Sequence, residues 1–275
     1  MIQKILVAVA GRGLCEEMVK MLMDIPSFQT ASVTVLHVVA PEVTADAMSD
    51  KLAEGGKILA DAVKFLNIDP SKVNPRLKQG DPKSVVCEVA EEENADLIVM
   101  GSRALGRLQA ILEGSVSQYV FQLASRPMLL VKDDVYVKKI RRVIVAVDKS
   151  DSAKQCLDLA LMMVKDIDGG QLELVHVASK AVDNPEQDPV LAAAVAQAKK
   201  YGVSYRCHTP VGKAGEEICR LADDLNADLV MLGSPDRRPN IAKSFVDLDR
   251  LLGGSLSDYV RVYANCPVLL GRTSN

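Results

Sequence analysis

The chain has 275 residues, 25% of them charged and 48% hydrophobic, with a formal net charge of −3. That length suits two domains that each bury a core, and the slight acidity gives no electrostatic case for nucleic acid as the main partner. No apolar run approaches the roughly 20 residues that span a bilayer, and MIQKILVAVA carries no cleavage-site pattern before it turns polar at Gly11 and Arg12. The expectation is a cytoplasmic protein without a signal peptide or membrane partner.

In chain order, short β-branched runs alternate with longer segments of helical period, the pattern of βαβ units around a parallel sheet. ILVAV, VTVLHVV, NPRLKQ, DLIVM and MLLV read as the strands of a first half. Glu16 to Met23, Ala45 to Phe65, Ser84 to Glu92 and Ser115 to Leu123 read as the helices between them. Asp133 to Lys138 is short and charged, a tether between domains. VIVAV, LELVHV, VSYRCH, DLVML and VLL then repeat the order.

The second half is a copy of the first. Val7 matches Val145 at an offset of 138, Gly80 and Asp96 match Gly212 and Asp228 at 132, and Ser115 matches Ser255 at 140. The small changes in offset are loop insertions and deletions. The predicted fold is α/β, two repeated doubly wound domains, each with a five-stranded parallel sheet flanked by helices. Their boundaries are 1–134 and 139–275.

GSRALGRLQAILEGSVS, from Gly101 to Ser117, follows the apolar run DLIVM directly. At the carboxyl end of a parallel strand, backbone N–H groups and the next helix start converge on a phosphate. Gly101, Gly106 and Gly114 permit close backbone approach, and Ser115 and Ser117 add hydroxyls at a helix entry. The alternative is a turn that needs glycine for the chain path alone.

The six cysteines at 15, 87, 156, 207, 219 and 266 contain no CxxC pair and no zinc spacing around His37, His176 or His208. In a reducing compartment they are free thiols. Cys87 and Cys219 occupy matching helix positions and read as small core residues, and Cys15 is the candidate if any thiol senses redox state. His37 and His176 match inside apolar strands, where a structural histidine is the commoner case.

With these residues the chain resembles a tandem universal stress protein. VAVD-like first strands, LHV second strands, ADLIVMGS fourth strands and GSVSQYV before a proline-led last strand carry the resemblance over nearly the whole chain. It implies ATP binding through a Gly-x2-Gly-x9-Gly-Ser/Thr loop, with magnesium as an optional companion. It places Ala8, Val9 and Ala10 against base and ribose, Val38 at adenine and Met100 beside the nucleoside. Gly101, Ala104, Gly114, Ser115, Val116 and Ser117 would meet the phosphates. Asp148, Val177, Gly233, Gly254 and Ser255 are the matching positions of the second half.

Two departures stand out. Ala104 replaces the loop's middle glycine, and Ala10 stands where the family has a ribose-side aspartate. The second half keeps Asp148, but Gly233 lies 21 residues before Gly254, against 13 between Gly101 and Gly114. The extra residues, around PDRRPNIAKSFVDLD, include Arg237, Arg238 and Lys243, more simply read as a solvated loop. The resemblance also implies side-by-side pairing of the last strands within the chain as a pseudo-dimer, with homodimerisation open.

The functional reading is a stress-response protein that holds an adenine nucleotide mainly in its first domain, as a regulator or scaffold without fast catalysis. No catalytic residue and no metal ligand is assigned. The alternatives are a slow ATP-hydrolysing or phosphate-transferring enzyme, with Asp81 and Glu113 the acids nearest the loop, and a nucleotide-free interaction scaffold. Against the enzyme stand the absence of a GxxxxGK[ST] lysine and of clustered carboxylates.

Overall fold

A computed structural model of the chain describes residues 2–102, 115–132, 135, 139–234 and 255–272. The described residues up to 132 form one compact unit, and those from 135 onward form a second. Most of the tether at 133–138 lies outside the described residues, as do the segments 103–114 and 235–254.

In the first unit the chain runs β1 (Lys4–Ala8), α1 (Leu14–Met23), β2 (Ser32–Val39), α2 (Ala45–Leu66), β3 (Val73–Gln79), α3 (Pro82–Glu92), β4 (Leu97–Ser102), α4 (Val116–Leu123) and β5 (Met128–Lys132). All five strands are parallel, in the order β3, β2, β1, β4, β5. Val7, Val33, Val35, Leu97, Ile98, Val99 and Leu129 have no exposed surface, as expected of strands covered on both faces. β3 is the edge strand, with no fully buried residue, and accommodates Pro75, which a central strand would not.

α1 packs with α2 on one face of the sheet, and α3 with α4 on the other. The side switches because β1 to β3 step one way across the sheet while β4 and β5 step the other. Local chemistry sets the helix ends. Thr44 Oγ1 accepts the Ala47 N–H at 3.3 Å to start α2, and Asn67 ends it in the left-handed region at φ 48°. Asp81 caps α3, accepting the Lys83 N–H at 3.2 Å, with Pro82 in the first helical position.

The second unit repeats the plan as β6 (Arg142–Ala146), α5 (Asp151–Lys165), β7 (Gln171–Val175), α6 (Leu191–Tyr201), β8 (Tyr205–His208), α7 (Ala214–Asp224), β9 (Leu229–Gly233), α8 (Leu256–Tyr263) and β10 (Val268–Gly271). Its parallel order is β8, β7, β6, β9, β10. β7 stops at Val175, two residues short of the predicted LELVHV, and His176 turns to Asp188 instead, with Nδ1 3.1 Å from Oδ1. One clamp is conserved between the copies. The Asp96 carboxylate accepts the N–H groups of Gln3 and Lys4 at 2.8 and 3.0 Å, and Asp228 accepts those of Arg141 and Arg142 at 2.8 and 2.7 Å. Each aspartate thereby fixes the start of its unit's central strand.

Candidate functional site

β1 and β4 are neighbours whose connections leave in opposite directions, so a crevice opens between their carboxyl ends. Ala8 on β1 lies opposite both Leu36 on β2 and Met100 on β4. A cavity of about 350 Å³ sits there, within the size range of small-molecule sites. Its lining brings together Ala8, Val9, Ala10, Val38, Met100, Gly101, Ser115, Val116 and Ser117. These are the described first-unit members of the predicted set. Ala104 and Gly114 lie outside the described residues, as does Gly106.

The cavity has unlike walls. Val9, Leu36, Val38, Pro82 and Val86 make an apolar side from the ends of β1 and β2 and the start of α3. Ser115 to Ser117 add the start of α4 to the lining. His37 has a structural task here, because its Nδ1–H donates to the Val9 carbonyl at 2.9 Å and ties β2 to the segment after β1.

The two units differ at this helix start. In the second unit Ser255 caps α8: its Oγ accepts the Asp258 N–H at 3.1 Å and donates to the Asp258 carboxylate at 2.8 Å. Side chains of the helix itself therefore satisfy that terminus. In the first unit Ser115 makes no side-chain cap to α4, and the first turn holds no acid. Its Oγ lies 3.1 Å from Ser117 Oγ, a contact that Ser255 and Ser257 also make at 3.0 Å. Gln118 takes the place of Asp258, buried at 4% exposure, with neither amide atom hydrogen-bonded. The positive end of α4 thus meets the cavity with no carboxylate in its own first turn to compete for it.

The matching cavity of the second unit is smaller, about 180 Å³. Asp148, Val177 and Gly233 line it, with Leu256 from the start of α8. Ser255 is described but does not line it, and Gly254 lies outside the described residues with Arg237, Arg238 and Lys243. Gly233 also has a packing role. A Cβ there would stand 2.5 Å from the Ala153 nitrogen and 2.6 Å from Ser152 Oγ, so the first turn of α5 approaches β9 too closely for any side chain. Asp148 accepts the Ser150 N–H at 2.7 Å and holds the turn before α5.

Some lining residues escaped the sequence pattern, chiefly Arg12, Leu14, Cys15 and Glu16 around the start of α1. Burial, helped by the Glu16 charge, pushes the Cys15 thiol up to about 12, so it carries almost no thiolate at neutral pH and lacks the activation of a redox sensor. Burial also raises the Glu16 carboxyl above the ordinary glutamate value. Of the acids predicted nearest the loop, Asp81 is occupied as the α3 cap, and Glu113 lies outside the described residues. Among the described residues no group of three or more His, Cys, Asp and Glu could hold a metal ion, and no helix is long and apolar enough to cross a membrane.

Two doubly wound units, each with a crevice at the carboxyl ends of its central strands, define a tandem α/β protein of the kind that takes small ligands at the switch point. The family model described as "Universal stress protein family" matches residues 1–132 and 139–272, and the chain belongs to that family. The universal stress protein A-like protein of Arabidopsis thaliana is 39% identical over 56 residues, 20% of this chain and 32% of that one. A universal stress protein of Thermus aquaticus is 36% identical over 87 residues, 32% of this chain and 62% of the relative. With both, the match spans less than two thirds of the relative's length. The crystal structure of a universal stress protein from Archaeoglobus fulgidus has the same fold, with a TM-score of 0.75 at 24% identity, covering 98% of this chain and 96% of that one.

Proposed function

We propose that the first unit binds an adenine nucleotide, ATP, and that the chain acts in stress response as a nucleotide-dependent regulator or scaffold without fast catalysis. The observation that carries this reading is the uncapped start of α4 over an open cavity, set against the acid-capped start of α8 over a cavity about half the size. Apolar side chains at Val9, Val38 and Val86 suit a base, and N–H groups at a helix start suit phosphates. In the second unit the Asp258 carboxylate already caps the start of α8, which makes that site the weaker one in this reading.

Slow or absent turnover follows from the same geometry. Helix amides position a phosphate but do not activate an attacking water. Asp81 is tied to its own helix start and is not available as a base. Mass spectrometry of freshly purified, denatured protein tests the binding reading: release of an adenine nucleotide, or uptake of added ATP by ligand-free protein, is the expected result. Protein that carries none and takes up none would overturn it in favour of a nucleotide-free scaffold.

A further inference from the structure

Glu16 is an anomaly in the cavity of the first unit. It is the third residue of α1, lines the cavity, and is only 4% exposed. Its carboxyl accepts from its own backbone N–H, and no other described residue bonds to it. The matching position of the second unit is Lys154, exposed and paired with Asp151 at 2.8 Å. A carboxyl this buried, with no cation and no side-chain donor bonded to it, costs stability, and that cost is offset when a ligand supplies donors.

We infer that Glu16 receives the ribose hydroxyls of the nucleotide in the first unit, so that this site selects ribonucleotides over 2′-deoxyribonucleotides. The inference rests on the nucleotide reading above. Of the parts of a nucleotide, the phosphates offer no donor and are repelled by a carboxylate. The family resemblance puts adenine at Val38 on β2, whereas α1 packs on β1, β4 and β5. The ribose lies between base and phosphates, and its two adjacent hydroxyls are donors that one carboxylate accepts with both oxygens.

The test is calorimetric titration of the whole chain with ATP and with 2′-deoxyATP, for the native sequence, Glu16→Gln and Glu16→Ala, beside thermal melts of the ligand-free proteins. The native chain is expected to bind ATP about tenfold or more tightly than 2′-deoxyATP, the weight of one charge-assisted hydrogen bond. Both variants should lose that preference by weakening ATP alone. Ligand-free Glu16→Gln, which removes a buried charge at constant shape, should melt no lower than the native chain, whereas a purely structural glutamate would melt lower when replaced. ATP binding without a ribose preference, or a preference that survives both substitutions, overturns the assignment of Glu16 and leaves the nucleotide reading intact. No binding of either nucleotide overturns both.

Discussion

Replacing Gln118 by aspartate rebuilds in the first unit the helix start that the second unit already has. Asp258, the third residue of α8, holds the Ser255 hydroxyl at 2.8 Å, and Gln118 is the third residue of α4, behind Ser115. A carboxylate there is about one helix turn, roughly 5 Å, from an anion held on the first N–H groups of α4. Two unit charges at that distance repel by about 3 kcal/mol at an effective dielectric of about 20. Water and salt at the cavity mouth reduce this to about 1–2 kcal/mol, so Gln118→Asp should weaken ATP binding about five- to thirtyfold.

The same change completes a cap and removes a buried, unpartnered amide, so the ligand-free variant should gain about 1 kcal/mol of stability. Binding and stability are thus expected to move in opposite directions. Calorimetry with ATP and with adenosine, beside a thermal melt, reads both effects. Adenosine, with no phosphate, should bind the variant as it binds the native chain. Equal losses for adenosine and ATP, or an unchanged ATP affinity in a folded variant, would refute the placement of the phosphates at α4.

Ala10→Asp, made in the Glu16→Ala background, should restore the ribonucleotide preference and tighten ATP binding by about 1 kcal/mol; calorimetry with ATP and 2′-deoxyATP checks it, and an unchanged ratio counts against ribose at the end of β1. Asp96→Ala removes two charge-assisted bonds to the start of β1 and should lower stability by about 1–3 kcal/mol in urea denaturation, with Asp228→Ala doing the same through β6; an unchanged midpoint would show that neither clamp matters. Burial pushes both the Cys15 and the Cys156 thiols up to about 12, so both should react with Ellman's reagent far more slowly in native than in unfolded protein; rapid native labelling of Cys15, located by peptide mapping, would contradict its burial.

The parallel sheet of each unit was legible because its buried runs alternate with helical periods and occur twice. The cavity floor was legible through the family resemblance, which set Ala8 and Met100 at one nucleoside, and the two residues do lie side by side on β1 and β4. Glu16 was not legible. An acid in the first turn of a helix ordinarily reads as a favourable surface charge at the positive end, and only packing shows that this one faces inward. The start of α1 was also misplaced by two residues, because Gly13, in the left-handed region at φ 79°, begins the helix without a side-chain cap. The contrast between Gln118 and Asp258 is plain in VSQYV and LSDYV, yet its meaning depends on the cap that Asp258 makes.

The central claim is one nucleotide site per chain, in the first unit, and its most direct test is the stoichiometry of a calorimetric titration of ligand-free protein with ATP. One tight site per chain is expected, weakened by Gln118→Asp and unaffected by Asp148→Ala. Two equal sites per chain, or one site lost on Asp148→Ala and untouched by Gln118→Asp, would contradict it.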